Sequence, residues 1–208
     1  MQGGARIERG EVIVPFVPDR ERARVATHIR STMITSSVAS LRTRGLYDAY
    51  CVHLPAARRD DMPATVAGSW LPVSEGVVHY GACDALRLPA AVLIEIGADA
   101  ATRSTNSMLS MVKRLAAGGG VTPWTILGQT RRLWERAFQG SSVGVFKTGP
   151  KEARFEIVAW PLARIEYNRV SFRGILRGLL VPFCTQVYVH EATSLCTPMT
   201  VGFRIAWA

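Results

Sequence analysis

Apolar and polar residues follow two different periods along the C-terminal part of the chain, residues 121–208. Spacings of three and four predict helices over residues 122–138 and about 167–181, and alternation predicts strands over residues 143–147, 153–160, 186–190 and 200–207. Thr122 and Pro123 suit a helix start, and Thr148-Gly149-Pro150 predicts a turn between the first two strands. We expect a four-stranded antiparallel ββαββ sheet with the second helix packed across it.

The N-terminal half is predicted to be helical after an extended lead over residues 11–17, where Pro15 excludes a central strand. Helical spacing begins at Pro18-Asp19 and ends near Arg44-Gly45. A second helix covers residues 46–54.

Three consecutive glycines, Gly118 to Gly120, form the clearest internal boundary, because they hold neither a helix nor a strand. Three short helices fit residues 72–117, with interruptions at Leu88-Pro89 and at Gly97. We therefore predict an α+β fold in a single domain, residues 1–208. Its α-helical N-terminal half, residues 18–120, packs on an α-ββαββ subdomain, residues 121–208.

The formal net charge of +9 raises nucleic acid or an anionic membrane surface as a partner. The basic residues are mostly dispersed arginines, however, and the lysines are only Lys113, Lys147 and Lys151. No run of five or six like charges occurs. We expect solvated or paired charges, and nucleic acid is not the favoured partner.

The spacing of the cysteines and the length of the apolar runs indicate the cellular compartment of the protein. The 4 cysteines are scattered without a CxxC pair, and the first residues lack the apolar segment of a signal peptide. The longest apolar stretches, residues 88–96 and 175–183, contain a charge and are shorter than the roughly 20 residues that span a bilayer. We expect a cytoplasmic protein with reduced thiols and no membrane span.

Several segments together resemble one family of proteins: residues 29–37 (IRSTMITSS), 41–45 (LRTRG), 113–115 (KRL), 131–138 (RRLWERAF), 149–155 (GPKEARF) and 203–207 (FRIAW). The family is a paralogous group of uncharacterised myxobacterial proteins. It is similar in layout to a wider superfamily that joins an α-helical half to a ββαββ half. That superfamily includes heme-nitric-oxide-binding sensors, the small-ligand-binding 4-vinyl-reductase domain and vesicle-tethering (TRAPP-like) subunits. The resemblance implies the fold and no shared reaction.

The heme chemistry of that superfamily can be tested on the residues. Ligation would need a histidine in the helical region that leads to the sheet, and the stretch from Asp99 to Phe138 contains none. The sequence therefore predicts no cofactor, and heme is not expected.

A metal site is the second chemistry that the superfamily suggests. The metal-binding form of the 4-vinyl-reductase domain has a glutamate, then a cysteine, then a second cysteine near the final strand. Glu191 followed by Cys196 resembles the start of this pattern, but Val201-Gly202 stand where the second cysteine is needed. Cys184, His190 and Cys196 form a conceivable soft-metal set across a strand pair. Buried cysteine packing is the favoured interpretation, and we predict no metal.

The predicted helix over residues 167–181 contains the most suggestive binding pattern. Arg169, Arg173 and Arg177 recur every four residues and form a ridge, while Gly174 and Gly178 allow a close approach on a neighbouring face. The arginines either pair with Glu156, Glu166 or Glu191 or contact a partner protein or an anionic ligand. The arginine ridge and His190 are the candidate binding residues.

The helix over residues 122–138 is apolar on two stripes, which favours a second neighbour and a homodimer. No GxSxG, phosphate-loop or HExxH motif occurs, so no catalytic residue is assigned. We favour a non-catalytic module that binds a partner protein or a small apolar ligand, in a regulatory or scaffolding role.

Two alternatives remain. The first is an enzyme that acts in the cleft between the helical half and the sheet, with His28 or His190 as general base. A pocket lined by His190, Cys184 and an acid would support it. The second is a nucleic-acid-binding protein that uses the arginine ridge.

Overall fold

A computed structural model describes residues 10–62, 65–102 and 120–208. Lys113, Gly118 and Gly119, which entered the sequence predictions, lie outside the described residues. Gly120 is described, and its φ of +111° is one that glycine adopts readily.

The main sheet has five antiparallel strands. They are β1 (Glu11–Val14), β5 (Ser142–Gly149), β6 (Glu152–Val158), β7 (Val187–Glu191) and β8 (Val201–Trp207). Their order across the sheet is β1-β5-β6-β8-β7. The four predicted C-terminal strands are therefore present. The extended lead adds the fifth strand as β1, which pairs with β5 at the edge of the sheet.

Seven α-helices lie in the described residues. They are α1 (Ser31–Thr43), α2 (Tyr47–His53), α3 (Val73–Asp84), α4 (helical over 90–102), α5 (Pro123–Leu127), α6 (Thr130–Ala137) and α7 (Glu166–Leu180). The molecule is an α+β protein with a helical N-terminal half, as the sequence predicts. No helix among the described residues is long and apolar enough to cross a membrane.

Helix α7 packs across one face of the main sheet because alternate strand residues turn their apolar side chains towards it. Phe155 of β6 pairs with Phe203 of β8, and both rings contact Phe172 of α7 at centroid distances of 5.8 and 5.6 Å. The same hydrophobic cluster continues into α1 and α3 through residues such as Ile34 and Tyr80. The helical half and the sheet thus share one core.

Helices α4 and α7 approach each other at the level of their backbones. A Cβ atom on Gly174 would lie 1.9 Å from the carbonyl oxygen of Ile94, and one on Gly97 would lie 1.8 Å from that of Ser171. The partner of the glycine face of α7 is therefore α4. The predicted interruption at Gly97 is wrong, because α4 continues through this residue. Gly97 is needed there because any side chain would collide with the backbone of α7.

The predicted helix from Pro18-Asp19 is wrong in its first half. Residues 28–30 form strand β2 (His28–Arg30), which pairs with β3 (Trp70–Pro72) and β4 (Phe138–Gln139) in a small second sheet. Ile29 is fully buried there. The apolar spacing around Ile29 is typical of a helix. Residues 28–30 form a strand instead, because they pair with β3 and β4, which are distant in sequence.

The predicted helix over residues 122–138 is two helices. Thr122 caps α5 through its hydroxyl, which accepts a hydrogen bond from the backbone N–H of Thr125. Gly128 ends α5, α6 follows, and Phe138 already belongs to β4.

Candidate functional site

A cavity of about 280 Å³ lies between the helical half and the sheet. Helices α1, α3, α4, α6 and α7 contribute to its walls, and Phe155 of β6 contributes from the sheet. This volume is near the lower end of the range of small-molecule sites. The close contact between α4 and α7 fixes two of the walls, because each helix supplies lining residues.

The walls of the cavity are mainly aromatic and aliphatic. The aromatic lining residues are Tyr80, Trp134, Phe138, Phe155, Trp160, Tyr167 and Phe172. These rings form two groups. Trp160 contacts the rings of Trp134, Phe138 and Phe172 at 5.3 to 5.8 Å, whereas Tyr167 contacts the ring of Tyr80 at 6.1 Å.

Three buried polar atoms among the described residues have no hydrogen-bond partner: Ser37 Oγ, Trp160 Nε1 and Tyr167 OH. All three residues line this cavity. They are 6%, 1% and 2% exposed, so bulk water does not compensate them. An unsatisfied buried polar group costs about 1–3 kcal/mol, and native proteins contain few of them. The three atoms are enclosed by protein, so the feature that marks the site is its mainly aromatic and aliphatic lining.

Helix α3 holds Tyr167 in place. The carboxylate of Asp84, at the end of α3, accepts a hydrogen bond of 2.7 Å from the backbone N–H of Tyr167, in the first turn of α7. A carboxylate at a helix N-terminus is also favoured by the helix dipole. This hydrogen bond anchors the backbone of Tyr167 to the end of α3.

A buried polar cluster lies behind this wall. His79 is fully buried, with its Nδ1 2.7 Å from the hydroxyl of Tyr50 and its Nε2 3.7 Å from the Sγ of Cys83. Burial lowers the pKa of His79 to about 3, so the ring is neutral. Burial also raises the pKa of the Cys83 thiol, and the neighbouring hydroxyls of Ser37 and Tyr167 oppose part of that rise. The cluster therefore reaches the cavity wall through Ser37 and Tyr167.

The described lining contains one charged residue, Arg136, which is exposed. None of the described lining residues is an acid, a histidine or a cysteine. The enzyme alternative required a pocket lined by His190, Cys184 and an acid, and this cavity does not have that lining.

The arginine ridge lies away from the cavity lining. Arg169 donates to the carboxylate of Glu191 at 3.2 Å and to the carbonyl oxygen of Ala163 at 3.0 Å. Arg173 donates to the carbonyl oxygen of Val189 at 3.0 Å, and Arg177 is exposed. Two of the three arginines thus have partners within the chain. A binding role for this ridge stays a prediction.

The weak metal candidates are spread over three segments. Cys184 follows α7 and its thiol contacts the carbonyl oxygen of Leu180, while the thiol of Cys196 contacts that of Ala192. His190 is an exposed residue of β7. Within the described ranges, no group of three or more His, Cys, Asp and Glu side chains could hold a metal ion.

The two apolar stripes over residues 122–138 are covered within the chain. Ile126, Leu127, Trp134 and Phe138 are buried. Leu133 and Ala137 line the cavity. The second neighbour that favoured a homodimer is therefore this chain's own core, and a dimer stays a prediction.

The fold is similar to that of H-NOX domains in solved structures. A structure titled as the Fe(II) unliganded H-NOX protein from K. algicida matches with a TM-score of 0.62 and 9% identity, over 86% of this chain and 97% of the other. An oxygen-binding H-NOX domain related to soluble guanylate cyclases has a TM-score of 0.57 and 12% identity, over 86% and 95%. A structure from a study of heme distortion in the H-NOX family has a TM-score of 0.60 and 12% identity, with the same coverage.

No family model and no curated relative matches the chain. At these identities the likeness establishes the fold alone. The distant similarity in layout to the heme-nitric-oxide-binding superfamily is confirmed, and membership of the myxobacterial family stays a prediction.

The prediction that heme is not expected is wrong, because the matching structures are H-NOX domains and one of them comes from a study of heme distortion. That expectation considered histidine alone. Methionine and tyrosine also ligate heme iron in proteins, and Met33, Tyr80 and Tyr167 line the cavity.

Proposed function

We propose that this protein is a binding module that holds a small, mainly apolar ligand in the cavity between its helical half and its sheet, in a regulatory role. The observation that carries the proposal is the cavity itself, which lies between the helical half and the sheet and is lined mainly by aromatic and aliphatic side chains. A small ligand with a mainly apolar surface is removed from water when it fills such a space.

Heme is the candidate ligand that the fold likeness supports. Tyr167, Tyr80 and Met33 belong to residue types that ligate heme iron, and Arg136 is the one cation of the described lining that could pair with a heme carboxylate. When bound, heme supplies an iron centre that can coordinate a further small molecule.

Tyr167 is the first of these residues to test as an iron ligand, because the hydroxyl of Tyr80 already donates to the carbonyl oxygen of Met33 at 3.4 Å. Burial raises the pKa of Tyr167, so the hydroxyl keeps its proton unless a cation displaces it.

Titration of the purified protein with hemin and, separately, with the neutral fluorophore N-phenyl-1-naphthylamine tests the proposal. We expect saturable binding of the fluorophore with one site per chain. Hemin binding with a shifted Soret band that changes in Tyr167→Phe would identify heme as a ligand. Fluorophore binding without hemin binding would leave a smaller apolar ligand.

Two variants on α4 provide the control. Ala100 lines the cavity, so Ala100→Phe fills the space, whereas Ala91 is exposed on the same helix outside the lining, so Ala91→Phe adds the same ring elsewhere. Binding should be lost in Ala100→Phe and kept in Ala91→Phe. Equal binding by both variants, or no binding by the wild type, would show that the cavity is not a ligand site.

A further inference from the structure

The opening of the cavity differs in chemistry from its interior. Two residues of the described lining are exposed to solvent, Arg136 at the end of α6 and Thr32 at the beginning of α1. They therefore lie where the cavity meets bulk water. Resting on the proposed function, we infer that the ligand is an apolar molecule with a carboxylate, and that this carboxylate lies at the opening against Arg136 and the first turn of α1.

Strand pairing places these two residues on the same side of the small sheet. Ile29 of β2 lies opposite Phe138 of β4 in an antiparallel pair. Thr32 follows β2 and Arg136 precedes β4, so both segments leave the pair on the same side. The end of α6 and the beginning of α1 therefore meet at the opening of the cavity.

Both elements favour a negative charge at this opening. Arg136 has no acidic partner within the part of the chain that the structure describes, and the adjacent Glu135 pairs with Arg131 at 3.2 Å. Helix α1 has no acidic residue in its first turn and no side-chain cap, so no carboxylate of that turn compensates the partial positive charge of this helix end. The described lining contains no acid that would repel an anion.

A carboxylate fits this opening better than other anionic groups. The planar guanidinium group of an arginine binds a carboxylate through two parallel hydrogen bonds. One arginine also matches one negative charge, whereas a phosphate dianion would keep a second charge without a cation in the described lining. Burial of a charge in the apolar interior would be costly. The apolar part of the ligand therefore occupies the interior, and the carboxylate stays at the opening.

The experiment compares two probes of the same shape, 2-naphthoate, which carries a carboxylate, and 2-naphthamide, which is uncharged. Their dissociation constants are measured at neutral pH and low ionic strength with the wild type, Arg136→Gln, Arg136→Lys and Arg132→Gln. The ratio of the two constants is the readout, because a general change of the cavity affects both probes. We expect the wild type to bind naphthoate about three- to fivefold more tightly than naphthamide.

Arg132→Gln is the matched control. Arg132 is exposed on the same helix outside the described lining, and its guanidinium donates to the side chain of Gln129 at 3.4 Å. Its replacement changes the net charge of the protein as much as Arg136→Gln does. The preference for naphthoate should persist in Arg132→Gln, decrease in Arg136→Lys and disappear in Arg136→Gln. In the wild type it should weaken as salt is added.

The outcomes separate this inference from the proposed function. Equal affinity of the wild type for both probes would overturn the inference and leave the apolar binding site in place. A preference for naphthoate that survives in Arg136→Gln, or that is lost equally in Arg132→Gln, would also overturn it. Binding of neither probe would remove the inference together with the proposed binding site.

Discussion

Replacement of Gly174 by alanine places a methyl group in the contact between α4 and α7. The new Cβ would lie 1.9 Å from the carbonyl oxygen of Ile94 and 2.8 Å from its carbonyl carbon. Both atoms belong to the backbone, so no side-chain rotation relieves the clash. The two helices must move apart, and with them the two cavity walls that they form.

The size of the effect follows from two opposing terms. Overpacking of a well-packed contact costs about 1–3 kcal/mol, and alanine gains up to about 1 kcal/mol over glycine inside a helix. We expect the free energy of unfolding to fall by about 1–2 kcal/mol. For a chain of this size that is a decrease in Tm of roughly 3–6 °C.

Gly81→Ala is the matched control. Gly81 lies inside α3, and a Cβ there would have no atom within 4 Å. The same substitution should therefore stabilise the protein by about 0.5–1 kcal/mol. Urea unfolding of the wild type and both variants measures the difference, provided that the slopes agree. Stabilisation by Gly174→Ala would refute the close contact of the helix backbones.

Three further predictions concern stability. Thr122→Ala should cost about 1 kcal/mol in urea unfolding, and Thr122→Ser should restore most of it, because the cap needs only a hydroxyl. Burial lowers the pKa of His79 from 6.5 to about 3, so between these pH values only the unfolded chain takes up this proton. The free energy of unfolding should therefore fall as the pH drops below about 6.5, by up to about 1.4 kcal/mol per pH unit. If the dependence of this free energy on pH between 6.5 and 5 is unchanged in His79→Gln, the prediction is wrong. Glu156 is buried between Arg154 and Arg20, so Glu156→Ala should lower the free energy of unfolding by about 3–5 kcal/mol. Glu135 is exposed and pairs with Arg131, so Glu135→Ala should lower it by less than about 1 kcal/mol. Similar losses of stability in both variants would contradict this prediction.

The C-terminal sheet was predictable from sequence because its strands alternate cleanly and its turns have their own signals. Val143, Val145 and Phe155 are buried on one face, and the turn at Pro150 joins β5 to β6 where the sequence places it. Strand β2 was not predictable in this way. Its three residues owe their conformation to pairing with β3 and β4, and local spacing contains no trace of these distant partners.

The candidate site was beyond the sequence for a similar reason. Ser37, Trp160 and Tyr167 come from three separate segments, and each has an ordinary role in local structure. What unites them is the cavity that they line together, which exists only after folding. The arginine ridge attracted attention because it repeats in sequence, but Arg169 and Arg173 have partners in the fold.

Native mass spectrometry of the wild type, Ala100→Phe and Ala91→Phe, purified from the same host, would show whether the cavity holds a small ligand. We expect the wild type and Ala91→Phe to retain the same small molecule, one per chain, and Ala100→Phe to lack it. Retention of that molecule by Ala100→Phe to the same extent would show that it does not occupy the cavity.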